Sequence, residues 1–468
     1  MKIAFYGAAR TVTGSKHLVS LNKGKKFLLD CGMFQGMGSE TEQLNRNWGF
    51  DPVEVDYVFL SHAHVDHSGL LPKLVKDGFH GSIYATPATI DIIRVLLLDS
   101  ASIQQQDLYL LNKKRREEGR KLLEPLYTAE DVQHTLGYLK PVHYHQPVQV
   151  DEDIIVQFFD GGHIVGSATI FLTLTENGNT STLAFSGDVG RYGDPILHSP
   201  QAFPQADYII IESTYGNKLH DRVETYSEEL LKNIETTCLQ KKGKLIIPAF
   251  SVGRTQELLY ALNDLELEGR LPPINYYVDS PMSIKVTEIV KQHPECFNRS
   301  VQKLLRKNLD PFAFEGLSYI TDKRDSQLLN TDHKPSVIIS ASGMAEAGRV
   351  KHHIANSIEN WRNTIMIIGY CEPSSLGARL KERPETVGIF GSQYNVKADI
   401  VTVNSMSAHA DYQDLCQYLS CQDAQEVKRV FIVHGEPKGQ VEFKKRLMRK
   451  GFLDITIPEL HQEFGIKN

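Results

Sequence analysis

The sequence contains no CxxC pair, no apolar run long enough to cross a bilayer, no signal-type apolar stretch behind its first residues and no surplus of positive charge. Six cysteines, Cys31, Cys238, Cys296, Cys371, Cys416 and Cys421, are scattered, which fits reduced buried thiols better than a disulfide framework or a thiolate-ligated zinc. The opening MKIAFYGAARTVTGS has one early lysine and no h-region, and nothing later approaches the ~20 apolar residues of a membrane span, so a cytoplasmic protein is expected. A formal net charge of −6 argues against coating nucleic acid through a broad basic surface, while leaving room for a local basic cleft. The one dense basic run, NKKRREEGRK from Asn112 to Lys121, includes two glutamates and reads as a solvated helix face. No repeat of fixed period occurs, and 34 Gly with 20 Pro is not a low-complexity composition.

What is present is an ordinary globular balance, 41% hydrophobic and 23% charged, spread over 468 residues, more than one core usually organises. In the first 205 residues, short apolar runs end in turn signals: KIAFYG, KKFLLDCG, VDYVFLSHAH, GSIYAT, IIVQFFDGG, TIFLTLT and TLAFSGD. These read as strands, interrupted between Thr89 and Leu139 by charged sequence of helical period, so the region is α/β. From about Asp207 the pattern becomes strand, small-residue turn, helix: KLIIPAF before SVGRTQELLYALNDL, SVIISASGM before AEAGRVKHHIAN, TIMIIGY before CEPSSLGARL. Such alternation predicts a second, largely parallel-sheet domain. The runs ADIVTVNSM and RVFIVHGE return to a strand followed by a ligand-type residue, so the expected division is 1–206, an inserted 207–395, and 396–468 belonging again to the first domain.

Chemistry concentrates at strand ends. SHAHVDHSG places His62, His64, Asp66 and His67 directly after the apolar VDYVFL, three imidazoles and a carboxylate within six positions. Such donors suit zinc, and also manganese or iron. Four residues are too few for two cations, and other strand ends supply more: His163 after IIVQFFDGG, Asp188 after TLAFSG, Glu212 after DYIII, His409 after ADIVTVNSMSA and His434 after RVFIV. In an α/β sheet these ends converge on one cleft. A carboxylate at Asp188 could bridge two cations, the arrangement that activates a hydroxide between them for in-line phosphodiester hydrolysis.

These residues carry a family resemblance. HxHxDH in SHAHVDHSG, with Asp30 in LLDCG, His163 in GGHIVGSA and Asp188 in SGDVG, resembles the metallo-β-lactamase fold, and Glu212 in ESTYG, His409 in MSAHADY and His434 in VHGE resemble motifs A, B and C of its β-CASP branch. That branch includes ribonuclease J and the endonuclease subunit of eukaryotic pre-mRNA 3′-end processing. The resemblance implies a metallo-β-lactamase αββα sandwich with an inserted β-CASP α/β domain. It implies one metal held by His62, His64 and His163, another by Asp66, His67 and His434, and Asp188 shared between them. It gives Asp30 the task of orienting a ligand imidazole. His409, hydrogen-bonded to Glu212, is expected to stay protonated near neutral pH and act as general acid. A histidine at motif C is typical of RNA-directed members, so two Zn2+ ions (or Mn2+, Fe2+) and single-stranded RNA are the expected cofactors and partner, with single-stranded DNA a second substrate and a homodimer a further option. Hydrolysis is expected to leave 5′-phosphate and 3′-hydroxyl ends, in RNA processing or decay.

In the insertion, Ser251, Gly253 and Arg254, and likewise Ser340, Ser342 and Gly343, lie between a strand and a helix. Hydroxyls and helix N-termini there suit phosphate, and Ser251, Arg254 and Ser342 are the candidate contacts. His352 and His353 in RVKHHI read as a helix-surface pair, with a phosphate-facing role as the second reading. Two alternatives remain open: a metallo-hydrolase of a small ester, thioester or lactam, and a non-catalytic RNA-binding scaffold. The long insertion between Glu212 and His409, expected to roof the metals and form a groove for a polymer, argues against the first, and the intact ligand set against the second.

Overall fold

The computed structural model describes residues 1–220, 226–369, 371–372, 374–403 and 407–466. Two compact units emerge, one of residues 1–192, 198–219 and 409–468, the other of 193–197 and 220–408.

In the first unit, one seven-stranded sheet runs β1 (Lys2–Phe5), β2 (His17–Ser20), β3 (Lys26–Leu29), β4 (Tyr57–Phe59), β5 (Ser82–Ala85) and β6 (Leu139–Pro141), with β22 (Glu463–Gly465) on the free edge of β1. The other places β7 (Val148–Gln149), β8 (Ile154–Asp160), β9 (Ala168–Glu176), β10 (Asn179–Phe185) and β11 (Tyr208–Ile211) in order, followed by β20 (Arg429–Ile432) and β21 (Ile455–Thr456). The two sheets face each other across one core. Ile3, Phe5, Val19, Phe27, Leu29 and Phe59 meet Ile154, Val156, Phe158, Ile170, Leu172 and Phe185. Alternation decides which residues look inward: Tyr208, Ile210 and Phe431 belong to this core, while Ile209, Ile211, Val430 and Ile432 face the opposite way onto Leu415, Tyr418, Phe443 and Leu447 of two C-terminal helices. Central strands apolar on both faces explain why YIII and VFI read as unbroken apolar runs. This is the αββα sandwich.

The second unit is built on an all-parallel sheet of β12 (Lys244–Pro248), β13 (Asn275–Val278), β14 (Leu317–Tyr319), β15 (Ser336–Ser340), β16 (Thr364–Ile368) and β19 (Asp399–Val403), in the order β14-β13-β15-β12-β16-β19. A separate hairpin joins β17 (Thr386–Ile389) and β18 (Ser392–Asn395). The helices expected after the small-residue turns form at Arg254–Leu267, Arg349–Ser357 and Leu376–Lys381. Tyr370 and Pro373 of TIMIIGY and CEPSS, and Asn404 to Met406 of ADIVTVNSM, lie outside the described residues.

The seven runs read as strands all form strands, and the stretch read as helical holds helices Pro87–Glu117 and Ala129–Thr135. Both domain limits fall later than 206/207 and 395/396. β11 pairs in parallel with β10 and β20 and stays in the first unit, whereas β19 pairs with β16, so the chain re-enters the first unit only at His409. All six cysteines are free; four are buried, Cys416 is half-buried and Cys421 is exposed, against the expectation that all are interior. Among the described residues no helix is long and apolar enough to cross a membrane.

Candidate metal centre

Every expected ligand lies in the first unit, just beyond the end of a strand. His62 and His64 occupy the extended segment after β4, and the chain then makes a single helical turn, Val65–Ser68, that carries Asp66 and His67. That turn splits the motif into two groups. His163 sits in the loop between β8 and β9, Asp188 follows β10, Glu212 follows β11 and His434 follows β20.

Backbone hydrogen bonds clasp the motif. Ser15 N donates to Asp66 O, Cys31 N to His67 O and Met33 N to Val65 O, so the loops before β2 and after β3 both wrap it. The approach is close enough that a Cβ on Gly32 would lie 1.6 Å from Asp66 O, which only glycine permits. Lys16 ties the two loops together: its buried Nζ donates to Gly14 O (3.1 Å) and Gly32 O (2.7 Å). Burial lowers its pKa from 10.5 to about 7. Between those values the unfolded chain holds a proton that the folded chain has released, so stability rises with pH across that window. Lys16→Met is expected to flatten this rise, measured as denaturant midpoints taken at intervals from neutral to alkaline pH.

The side chains converge in two clusters, each with its donor atoms within 4.8 Å of one another: His62, His64, His163 and Asp188, and Asp66, His67 and His434. His64 Nδ1 lies 3.1 Å from His62 Nε2 and 3.2 Å from His163 Nε2. His67 Nε2 lies 3.3 Å from His434 Nε2, and His434 Nε2 lies 3.3 Å from Asp66 Oδ2. Asp188 stands between the clusters. Its Oδ2 is 3.5 Å from His62 Nε2 and 3.6 Å from His163 Nε2, while Oδ1 is 3.3 Å from His67 Nε2. Glu212, His434 and Asp188 also fall within ligating distance of one another. The Glu212 oxygens, however, already accept from Val189 N (2.7 Å) and Thr214 N (3.2 Å), which leaves Glu212 as an anchor.

These donors fit divalent cations. His64 Nδ1 has a single proton or a single lone pair to offer the two nitrogens of His62 and His163 that face it, so a hydrogen bond cannot fully satisfy both, whereas a cation accepts a lone pair from each ring. Asp188 Oδ1 is buried with no hydrogen-bond partner among the described residues. Burial holds His62 well below its usual pKa and His64 down to about 4, keeping their lone pairs free. For His67, burial opposes the charged form, but Asp188, Asp30 and Asp66 outweigh it and raise the pKa well above normal. Carboxylates that stabilise an imidazolium there would equally stabilise a cation in its place.

Around the donors are groups that hold them. His67 Nδ1 is 2.6 Å from Asp30 Oδ2, and Asp30 also accepts from Ser61 N and from the Ser15 and Ser61 hydroxyls. Asp30 and His434 both take left-handed backbone conformations, φ 60° and 47°, which these residue types tolerate better than most. The sequence reading missed two hydroxyls: Ser61 Oγ lies 3.0 Å from His62 Nδ1, and Thr214 Oγ1 lies 3.0 Å from His434 Nδ1. Both flank motif residues, the S of SHAHVDH and the T of EST, so adjacency was the available signal.

His409 is held beside the clusters by Ala410 N, which donates to Val189 O at 2.7 Å. Its Nδ1 is 3.3 Å from Glu212 Oε1 and 3.8 Å from Asp188 Oδ2. Burial disfavours the imidazolium, yet Glu212 and Asp188 override it and push the pKa up to about 9.

Residues expected to contact phosphate belong to the second unit. Ser251 and Ser342 are half-buried, with Ser342 Oγ 3.4 Å from Ala347 O. Arg254 is a correction. It is buried at the start of its helix and its guanidinium donates to Glu257, so a carboxylate already meets the charge proposed for phosphate. His353 is a second: it is fully buried, its Nε2 2.6 Å from Asp279 Oδ2 and its Nδ1 2.8 Å from Asn330 Oδ1, and only His352 is on the surface.

Known proteins agree with this architecture. The metallo-beta-lactamase superfamily pattern matches residues 14–227, the Beta-Casp domain pattern 255–380, and that of the Zn-dependent metallo-hydrolase RNA specificity domain 393–458. The chain is 35% identical over 451 residues to Ribonuclease TTHA0252 of Thermus thermophilus, covering 96% of this chain and 97% of that protein. It is 30% identical to Transcription termination factor FttA of Methanosarcina mazei, over 96% of this chain and 69% of the relative. An RNase J-like protein of Methanocaldococcus jannaschii is 26% identical over 97% of each. Fold and site define a metal-dependent hydrolase of the metallo-β-lactamase superfamily. Within that superfamily, the chain belongs to the β-CASP ribonuclease family.

Proposed function

We propose that this protein hydrolyses phosphodiester bonds of single-stranded RNA, leaving 5′-phosphate and 3′-hydroxyl ends, in RNA processing or decay. The observation that carries the reading is Asp188, whose two carboxylate oxygens face two separate clusters of imidazole and carboxylate donors. Relatives whose names are ribonuclease and RNase J-like protein support RNA as the substrate.

In this reading His62, His64 and His163 would hold one divalent cation and Asp66, His67 and His434 another, with Asp188 placed to serve both. The donor set favours zinc, with manganese and iron as alternatives. Bound cations supply Lewis acidity toward a phosphoryl oxygen and lower the pKa of water. The protein's own groups do the rest. Asp30 accepts the Nδ1 proton of His67 and aims the Nε2 lone pair inward, while Ser61 and Thr214 do the same for His62 and His434. His409, kept protonated by Glu212, donates its proton to the departing 3′ oxygen. Ser251 and Ser342 are proposed phosphate contacts of the second unit.

The products decide the chemistry. Digestion of a defined single-stranded RNA is expected to give 5′-phosphate and 3′-hydroxyl termini by mass spectrometry, and a 2′-O-methyl at the scissile nucleotide is expected to leave the bond cleavable. Termini carrying 2′,3′-cyclic phosphate would overturn the mechanism. Rapid lactam or thioester hydrolysis without nuclease activity would place the protein among hydrolases of small substrates.

A further inference from the structure

The hairpin of the second unit presents an aromatic ring in a conformation that suits a different residue. β17 and β18 pair in register from Thr386↔Asn395 to Ile389↔Ser392, which leaves a two-residue turn of Phe390 and Gly391. Both have positive φ, 51° and 79°, the pattern of a type I′ turn, where Asn-Gly is the favoured pair and a bulky side chain is strained. The ring is not there to fill the core. Val387 and Ile389 are the buried members of the hairpin, packed with Leu376 and Leu380, while Phe390 is 52% exposed.

At the surface the ring is stacked. The rings of Phe390 and the exposed His352 lie 4.5 Å apart with 29° between their planes. Lys351 Nζ lies 5.3 Å from the Phe390 centroid. Lys323 is close enough to His352 to join burial, His353 and Lys351 in lowering its pKa. Arg379 donates to Gly388 O inside the hairpin at 3.4 Å. The only carboxylate paired with Lys351 and Arg379 among the described residues is Glu346, 3.6 Å from each, and its Oε1 also accepts from Leu376 N. Three cations, Lys351, Lys323 and Arg379, thus lie by the exposed aromatic pair or its hairpin, in a chain whose net charge is −6.

We propose that Phe390 and His352 form a stacking platform for an unpaired base of the RNA, with Lys351, Lys323 and Arg379 receiving the phosphates on either side. The proposal rests on the ribonuclease reading above. Stacked rings beside flexible cations are how single strands are held without sequence preference, since every base offers a π-face and every linkage a charge. Strain in an exposed residue is retained where the side chain has a use that the relaxed residue lacks.

The decisive variant is Phe390→Asn, because asparagine relaxes the turn while removing the ring. The thermal midpoint is expected to hold or rise. In steady-state cleavage of a single-stranded RNA of about 20 nucleotides by the metal-loaded full chain, KM is expected to increase roughly ten-fold, the order of one lost base stack. Phe390→Trp, which keeps a platform, is expected to retain the wild-type KM. Substrates with scattered abasic positions should abolish the difference between wild type and Phe390→Asn. Photocross-linking of wild type to RNA containing 5-iodouridine should map to the hairpin peptide. An unchanged KM in Phe390→Asn with no cross-link at the hairpin would overturn the platform while leaving the nuclease intact. Wild type that cuts no single-stranded RNA would remove the nuclease reading and the platform with it. A midpoint that drops in Phe390→Asn while Phe390→Trp also loses KM would assign the ring to hairpin packing.

Discussion

Asp188→Ala is expected to lose bound metal and hydrolysis together. Among the described residues each of the two clusters has three other donors, and Asp188 turns one oxygen to each, so in the proposed reading the substitution weakens both sites at once. Loss of a supporting partner outside a site typically lowers metal affinity ~10–100-fold, and loss of a shared ligand is expected to exceed that. Elemental analysis of purified protein after dialysis is the direct measurement, with RNA cleavage read alongside. Asp188→Asn separates charge from shape: it keeps the planar group, removes the negative charge facing both clusters, and should behave like the alanine variant. Two tightly held metal ions per chain in either variant would sink the shared-ligand assignment.

His409→Ala is expected to keep both metals and substrate affinity while slowing cleavage ~10²–10⁴-fold, the usual effect of removing a positioned acid. The pH profile carries the finer expectation. His409 holds its proton up to about 9, so an acid role persists below that value and is lost as pH rises through it. Wild type should therefore lose activity on the alkaline side, and the alanine variant should lack that limb. Glu212→Gln removes the carboxylate 3.3 Å from Nδ1 that favours the charged ring, and should move the limb to lower pH. Wild-type turnover by His409→Ala on a linear single strand would make His409 structural.

The candidate centre was legible because its parts are local. Three imidazoles and a carboxylate in SHAHVDH need only one strand end and one helical turn to be presented together, and the remaining ligands each follow an apolar run whose end marks a strand end. Ser61 and Thr214 were overlooked because a hydroxyl beside a motif residue has no meaning until the ring orientation is known. The return of the chain to the first unit was placed too early because an apolar strand does not reveal its neighbour. β19 lies among the second unit's strands only through its pairing with β16. Arg254 and Glu257 are three apart on one helix, a spacing that could have warned that the cation is already paired.

By itself, the sequence determined the element types, the two-part α/β plan and most of the residues that the structure gathers at the candidate metal centre. These follow from periodicity, turn chemistry and donor type, which are properties of residues and their near neighbours. Only the tertiary structure decided which atom faces which: that Asp188 turns one oxygen to each cluster, that Asp30 holds His67, that Glu212 meets His409 across 197 positions, and that His353 is buried on Asp279 while His352 stays out to stack with Phe390. Those contacts join residues far apart in the chain. Their distances depend on how the sheets, helices and loops of each unit close in space, a quantity no local pattern carries.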